Sequence, residues 1–204
     1  MAAEVRSTSD GESAGKVTLL VAAAPVEAIA IARAFGVGPP RGPWELLALP
    51  VAGRGAGFDL VVSGVGKANA AGATARFADP ARHGRVLSIG ICGALPGSSL
   101  ELGATLVAQA CVYADEGIET PHGFLDCGQM GFPLGDFPGR EVPVDAQSLG
   151  WLSAAVGGRV GRIATVSTCS GTDLGARRVV ERTAALGEAM EGAMRKHPVL
   201  SDAC

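Results

Sequence analysis

The stretch VTLLVAAAPVEA, residues 17–28, decides how the rest of the chain is read. Val17 to Ala23 is a continuous apolar run of strand length, the pattern of a parallel strand buried on both faces. Pro25 follows where a helix opens, because a first-turn residue has no intrahelical use for its N–H, and that helix runs to Phe35. The unit is strand, tight turn, helix, with one carboxylate, Glu27, just past the strand end. Outward from it the pattern repeats. Phe58 to Ser63 reads as a strand, Gly64-Val-Gly-Lys67 as its turn, and Ala68 to Ala78 as an alanine-rich helix. Arg85 to Ile91 is a third strand ending in Gly90-Ile-Cys-Gly93. Ala104 to Tyr113 and Arg159 to Thr168 are further strands, and Trp44 to Val51 is an edge strand or hairpin arm. Helices are expected at Ala146 to Val156 and at Asp173 to Leu186; the second has Thr172 or Asp173 as N-cap, with Arg177 and Glu181 four apart on its outer face. Alternating strands and helices imply a three-layer αβα fold around a mostly parallel or mixed central sheet. Between Tyr113 and Val144 lies a stretch rich in Gly, Pro and Asp, too long for an ordinary connection, which reads as a functional loop.

Composition bounds the function. The chain has 204 residues, 48% hydrophobic and 18% charged, with 30 glycines, which describes one compact, well-buried domain of many tight turns. Residues 1–16 are rich in Ser, Gly, Glu and Ala with no apolar period and read as a disordered extension. A net charge of -3 argues against a nucleic-acid partner. The five cysteines, Cys92, Cys111, Cys127, Cys169 and Cys204, contain no Cys-x-x-Cys pair, so reduced thiols are expected. The apolar run from Val17 to Ala32 has no positive leader and is interrupted by Pro25 and Glu27, so neither a signal peptide nor a membrane span is expected, and the address reads as cytoplasmic.

Ligands of open α/β folds sit beyond the carboxyl ends of the strands. Glu27, Gly64 to Lys67, Gly90 to Gly93 and Ser170 to Asp173 all follow a predicted strand, so they are expected to converge at one rim. Glu188-Ala-Met-Glu191 adds a possible ribose clamp: a carboxylate accepts hydrogen bonds from both hydroxyls of a diol, and a thioether packs on the sugar's carbon face. The plain alternative is a capping Glu beside a core Met at a helix start. Cleaving an N-glycosidic bond passes through an oxocarbenium-like ribose, so water, sugar and leaving base each need a group. Glu27 suits the water, unless it is a solvent-facing residue of the first helix. Met190 and Glu191 suit the sugar, with Cys92 and Gly93 in the turn after the third strand also assigned to substrate binding. Ser170, Thr172 and Asp173 are candidates near the purine N7, with helix capping as their alternative. Gly64-Val-Gly-Lys67 is not a P-loop, since Ala68 stands where Ser or Thr is needed; a tight turn or backbone approach to a sugar remains, with Lys67 a surface residue. His83, His122 and His197 have no metal-ligand spacing, and Ser167 and Ser170 lack a nucleophile elbow.

With these positions laid out, the chain resembles the nucleoside phosphorylase and hydrolase superfamily over residues 17–193, and within it most of all the futalosine hydrolases. The motifs are VTLLVAAAPVEA, GVGKANAA, SIGICGALPGS, DEGIETPHGF, GFPLGDFPGR, STCSGTD and EAMEGA. GVGK and MEGA are similar to the methylthioadenosine/S-adenosylhomocysteine nucleosidases, whereas ETPHGF followed by GFP tilts toward futalosine. The resemblance implies that Glu27 activates water and that Met190 and Glu191 bind ribose. It implies hydrolysis of futalosine to dehypoxanthine futalosine and hypoxanthine, in menaquinone biosynthesis, without a cofactor or metal, by a homodimer or higher homo-oligomer. A phosphate dianion would be repelled by a carboxylate at Glu27, which also favours water as nucleophile. Thr120 to Phe124 would lie near the 5′ side of the substrate, with His122 or Arg140 as partner for its benzoate. The alternatives are a nucleosidase for methylthioadenosine or S-adenosylhomocysteine, or a catalytically impaired nucleoside-binding remnant. The third arises because family members continue past MEGA with a helix, a strand and an aspartate that protonates the base. Here Met194-Arg-Lys-His-Pro198 would break that helix, and Asp202 is too close to Glu191 for the role to transfer. Residues 194–204 are therefore expected to be an aberrant or truncated terminus, with the fold missing its last strand and helix.

Overall fold

The structure, a computed structural model, describes residues 15–51, 57–137 and 139–191. Most of the expected N-terminal extension, the tail at 194–204 with His197, Pro198 and Asp202, and Gly192 and Ala193 of the MEGA motif lie outside the described residues. The described residues divide into two compact units: 15–51, 57–64 and 71–90 form one, and 65–70, 91–137 and 139–191 form the other.

In the first unit, β1 (Val17–Ala22) leads into α1 (Pro25–Ala34), then β2 (Leu46–Leu49), β3 (Phe58–Val62), α2 (Lys67–Phe77) and β4 (His83–Ser88), with α2 crossing from the second unit into the first. The sheet order is β2-β3-β1-β4. β1 runs parallel to both β3 and β4, and β2 closes the edge antiparallel to β3. Leu19 and Val21 point to one face and Leu20 and Ala22 to the other, yet all four are buried, which is why the run is apolar without alternation. On one face Leu20, Ala22, Leu60 and Val62 pack with Ala28 of α1 and Leu49 of β2, with Ile31 and Phe35 closing over them. Each leucine or valine among them contributes about 1.5–3 kcal/mol by leaving water. Asp59 is buried in this unit with Arg82 and His83 bound to it, His83 Nε2 lying 2.9 Å from Asp59 Oδ2. His83 is thus a core histidine.

The second unit continues with β5 (Gly93–Ala94), β6 (Leu106–Tyr113), β7 (Gly117–Thr120), β8 (Gly123–Asp126), β9 (Glu141–Pro143), α3 (Ala146–Val156), β10 (Arg159–Thr165), α4 (Asp173–Thr183) and β11 (Gly187–Ala189). Its sheet order is β5-β11-β10-β6-β9, with β10 parallel to β6 and β11 and the two edges antiparallel. Its core gathers Leu95, Ala114, Ala164, Val166 and Ala185, against which Ala176, Val179 and Val180 of α4 pack. The strands thus form a four-stranded and a five-stranded mixed sheet, with β7 and β8 paired as a separate hairpin. The stretch between Tyr113 and Val144, expected as a loop, holds the β7–β8 hairpin and β9. The second expected helix stops at Thr183, because Ala184 adopts a left-handed φ of 50° and turns the chain toward β11. Glu188 and Ala189 lie in that strand, and Met190 and Glu191 follow its end. Among the described residues no helix is long and apolar enough to cross a membrane.

Candidate functional site

At the carboxyl ends of β1, β3 and β4 the first unit presents Glu27. Ala24 is the N-cap of α1, and its backbone N–H, which has no partner within the helix, needs an acceptor. Glu27, at the third helical position, supplies it: Oε2 accepts from the Ala24 N–H at 2.8 Å and from the Ala23 N–H at 3.1 Å. Its side chain is thereby turned back over the strand end instead of out along the helix. Gly64 N–H bonds to Ala23 O and Ile89 N–H to Val21 O, so the turns after β3 and β4 are tied to the same strand end. Gly90 faces the carboxylate directly. A Cβ added there would lie 2.7 Å from Oε1 and 3.1 Å from the carboxyl carbon of Glu27. Glu27 is partly buried, so the solvent-facing alternative does not describe it.

The second unit has its own set of polar groups beyond the ends of β6, β10 and β11. Met190 is partly buried at the margin of the core, packed against it. Glu191 Oε1 accepts from the Gly66 N–H at 3.2 Å, and Oε2 from the Met190 N–H at 3.1 Å. A carboxylate has about four acceptor positions, so two such bonds orient it while leaving capacity for a diol. Gly66 reaches this position with φ 101°, a left-handed conformation suited to glycine.

Glu188 is a residue that sequence reasoning passed over. It is buried and takes two bonds from one residue of the loop after β10: Ser170 N–H donates to Oε1 at 2.8 Å and Ser170 Oγ to Oε2 at 2.9 Å. No sequence signal marked it, because β11 is only three residues long and its partner Ser170 is brought near by the fold. Ser170 is thereby anchored. Thr172 caps α4, its Oγ1 accepting from Gly175 N–H at 3.1 Å, and Asp173 is exposed in the first turn of that helix. Gly93 pairs with Glu188 across β5 and β11, and Cys92 is half-buried beside Gly187, its thiol pushed up by burial. Cys169, in the same loop as Ser170, is held above its usual range first by desolvation and then by the charges of Glu188 and Glu191.

Lys67 is not the surface residue expected. Its side chain is only 12% exposed, with Nζ 2.6 Å from Asp115 Oδ1, 2.9 Å from Glu116 Oε1 and 5.4 Å from the Tyr113 ring centre. Burial works against its charge, but the bonds to Asp115 and Glu116 outweigh it and raise the ammonium above its ordinary value. The correction has a simple cause: the two carboxylates follow β6 and meet Lys67 only through the fold. His122 is exposed in the β7–β8 turn, and Arg140 stacks over Phe124 at 5.7 Å and bonds to the Arg182 carbonyl.

No protein-family model matches the chain. A curated futalosine hydrolase of Streptomyces coelicolor is 38% identical over 184 residues, covering 85% of this chain and 73% of the relative. Among solved structures, a futalosine hydrolase mutant of Helicobacter pylori aligns at TM-score 0.64 and 19% identity, over 93% of this chain and 83% of the other. A Helicobacter pylori 5′-methylthioadenosine/S-adenosyl homocysteine nucleosidase aligns at TM-score 0.65 and 19% identity, over 93% and 78%. A 5′-methylthioadenosine/S-adenosylhomocysteine nucleosidase of Colwellia psychrerythraea, in complex with adenine, aligns at TM-score 0.64 and 19% identity, over 93% and 76%. The structural likenesses establish the α/β fold; the identity to the Streptomyces relative carries more.

Proposed function

The chain belongs to the futalosine hydrolase family, and from that premise we propose that it hydrolyses the N-glycosidic bond of futalosine, giving dehypoxanthine futalosine and hypoxanthine. Glu27 is the base that takes a proton from the attacking water. Its carboxylate is preoriented by two main-chain donors on Oε2, so no side chain has to rearrange to present it. Met190 and Glu191 bind the ribose, the thioether on its carbon face and the carboxylate on its hydroxyls. Charge on the ring grows toward the transition state, so a carboxylate gripping the diol stabilises that state more than the ground state. Ser170, with the loop that Glu188 anchors, and Thr172 and Asp173 at the start of α4 are assigned to the base. Cys92 and Gly93 complete the substrate-binding set. The observation that supports this reading most is the carboxylate of Glu191 beside Met190, oriented by two main-chain N–H groups.

The test is direct. Purified protein is incubated with futalosine, methylthioadenosine or S-adenosylhomocysteine, and free bases are resolved by chromatography. The expected result is hypoxanthine from futalosine, no adenine above the blank, and loss of hypoxanthine release on Glu191→Ala. Adenine release alone would move the chain to the nucleosidases of the other substrates, and no release from any of the three would overturn the enzymatic reading.

A further inference from the structure

Lys67 is not used by the reaction as described, yet it is the most heavily engaged lysine among the described residues. Its neighbourhood rules out a ligand-binding role for the ammonium. One positive charge stands between the negative charges of Asp115 and Glu116, so the cluster as a whole is anionic and repels a phosphate or carboxylate ligand. Stability alone is a poor reason for such a lysine as well, since its partners Asp115 and Glu116 are 31% and 35% exposed and solvent screens both pairs. What the cluster does is tie segments together. Asp115 follows β6 and accepts, besides Lys67, the N–H of Ser167 at the end of β10. Glu116 is the next residue along. The residue before Lys67 is Gly66, whose N–H is on Glu191 Oε1 at 3.2 Å.

We propose that Lys67 is a positioning residue for ribose recognition: its grip on Asp115 and Glu116 fixes the Val65–Lys67 backbone so that the Gly66 N–H orients the Glu191 carboxylate. Within the turn, Asn69 Nδ2 donates to Val65 O at 2.8 Å and Ala70 N–H to Gly66 O at 3.0 Å, ties that reach no farther than the start of α2. The Lys67 side chain supplies the tie to the segment after β6. This rests on the ribose role given to Glu191 above, and the experiment separates the two.

Initial rates are measured with futalosine and with its 2′,3′-dideoxy analogue, which lacks both hydroxyls assigned to Glu191, for wild type, Lys67→Met, Lys67→Arg, Glu191→Gln and the Lys67→Met/Glu191→Gln double variant. Lys67→Met is expected to lower kcat/KM for futalosine by about 10-fold, the size of one mispositioned charge-assisted hydrogen bond, and to change the dideoxy substrate by under about 2-fold. Lys67→Arg, which can still span two carboxylates, is expected to recover most of the loss. The double variant is expected to be no slower than Glu191→Gln alone, because both changes remove the same interaction. Equal losses on both substrates, multiplying effects in the double variant, or a slow Glu191→Gln beside a wild-type Lys67→Met would each overturn the positioning role. A Glu191→Gln variant at wild-type rate overturns the ribose reading itself, and the positioning role with it. Should Lys67→Met not fold, Asp115→Asn/Glu116→Gln releases the same ammonium from the other side, and the same loss of discrimination is expected.

Discussion

Glu27 and Glu191 are both carboxylates held by main-chain N–H groups just beyond the ends of parallel strands, but the donors come from different distances. Glu27 is gripped by Ala23 and Ala24, four and three residues back along its own turn. Glu191 is gripped by its neighbour Met190 and by Gly66, 125 residues away. The first is a product of helix initiation: the N–H of an N-cap and a glutamate at the third position meet wherever that helix forms. The second exists only when the whole of its unit is folded. Orientation of the Glu27 carboxylate is thus local and robust, whereas orientation of the Glu191 carboxylate is a tertiary property. The sharpest way to break the contrast is Glu27→Gln. The amide oxygen still accepts from Ala23 and Ala24, so the thermal midpoint is expected to stay close to wild type, while basicity is lost and kcat falls by about 10²–10⁴-fold. Rates near wild type, with the fold intact, would remove Glu27 from the chemistry.

A smaller effect is expected from Gly90→Ala. The added methyl group would meet Oε1 of Glu27 at 2.7 Å, closer than any real contact, while the backbone at Gly90 requires no left-handed conformation. The carboxylate, not the chain, must give way. A displacement of this kind is expected to cost about 10-fold in kcat with little change in thermal midpoint, measured by steady-state kinetics beside a melting curve. If kcat is unchanged, Glu27 tolerates displacement and the value of its local anchoring is smaller than argued.

The same difference in range separates what the sequence discloses from what it does not. β1 and α1 are legible because their signals are consecutive: an apolar run, a proline, a glutamate in the first turn. α3 is found at its full bounds, Ala146–Val156, since Asp145 caps it by accepting from Ser148 N–H and Gly157 ends it at φ 61°. The β7–β8 hairpin is not legible. Ile118 and Leu125 remain 49% and 41% exposed, so no buried face imposes an alternating pattern on a stretch of Gly, Pro and Asp. β11 is hidden for a related reason: three residues, paired with β10 and β5, leave no periodicity to read. In the candidate site, Glu27, Met190 and Glu191 stand out by residue type and context. Glu188 and Lys67 do not, because what distinguishes them is a partner, Ser170 or Asp115, that only the fold brings near.

Asp59 offers the control that sharpens the comparison, because it is a carboxylate with every sign of importance except a place at a strand end. It is buried on β3 in the first unit, where Arg82 binds it through two nitrogens and His83 through Nε2. The Arg82 guanidinium is the main reason its carboxyl lies below the usual range; burial opposes this, and the His83 bond adds to it. A group whose pKa is lower folded than unfolded stabilises the fold above its unfolded value of about 3.9, and that contribution fades as the pH drops through the folded value. Asp59→Asn is therefore expected to lower the thermal midpoint by several degrees at pH 7 and to narrow its deficit against wild type as the pH falls below about 4. Per folded molecule, kcat is expected to be unchanged, the opposite of Glu27→Gln. Melting curves at pH 7 and in acid, with rates on the folded fraction, decide it. A fall in kcat comparable to that of Glu27→Gln would mean that a charge-compensated core carboxylate reaches the chemistry. Anchoring at a strand end would then no longer distinguish the groups that act from those that hold the fold.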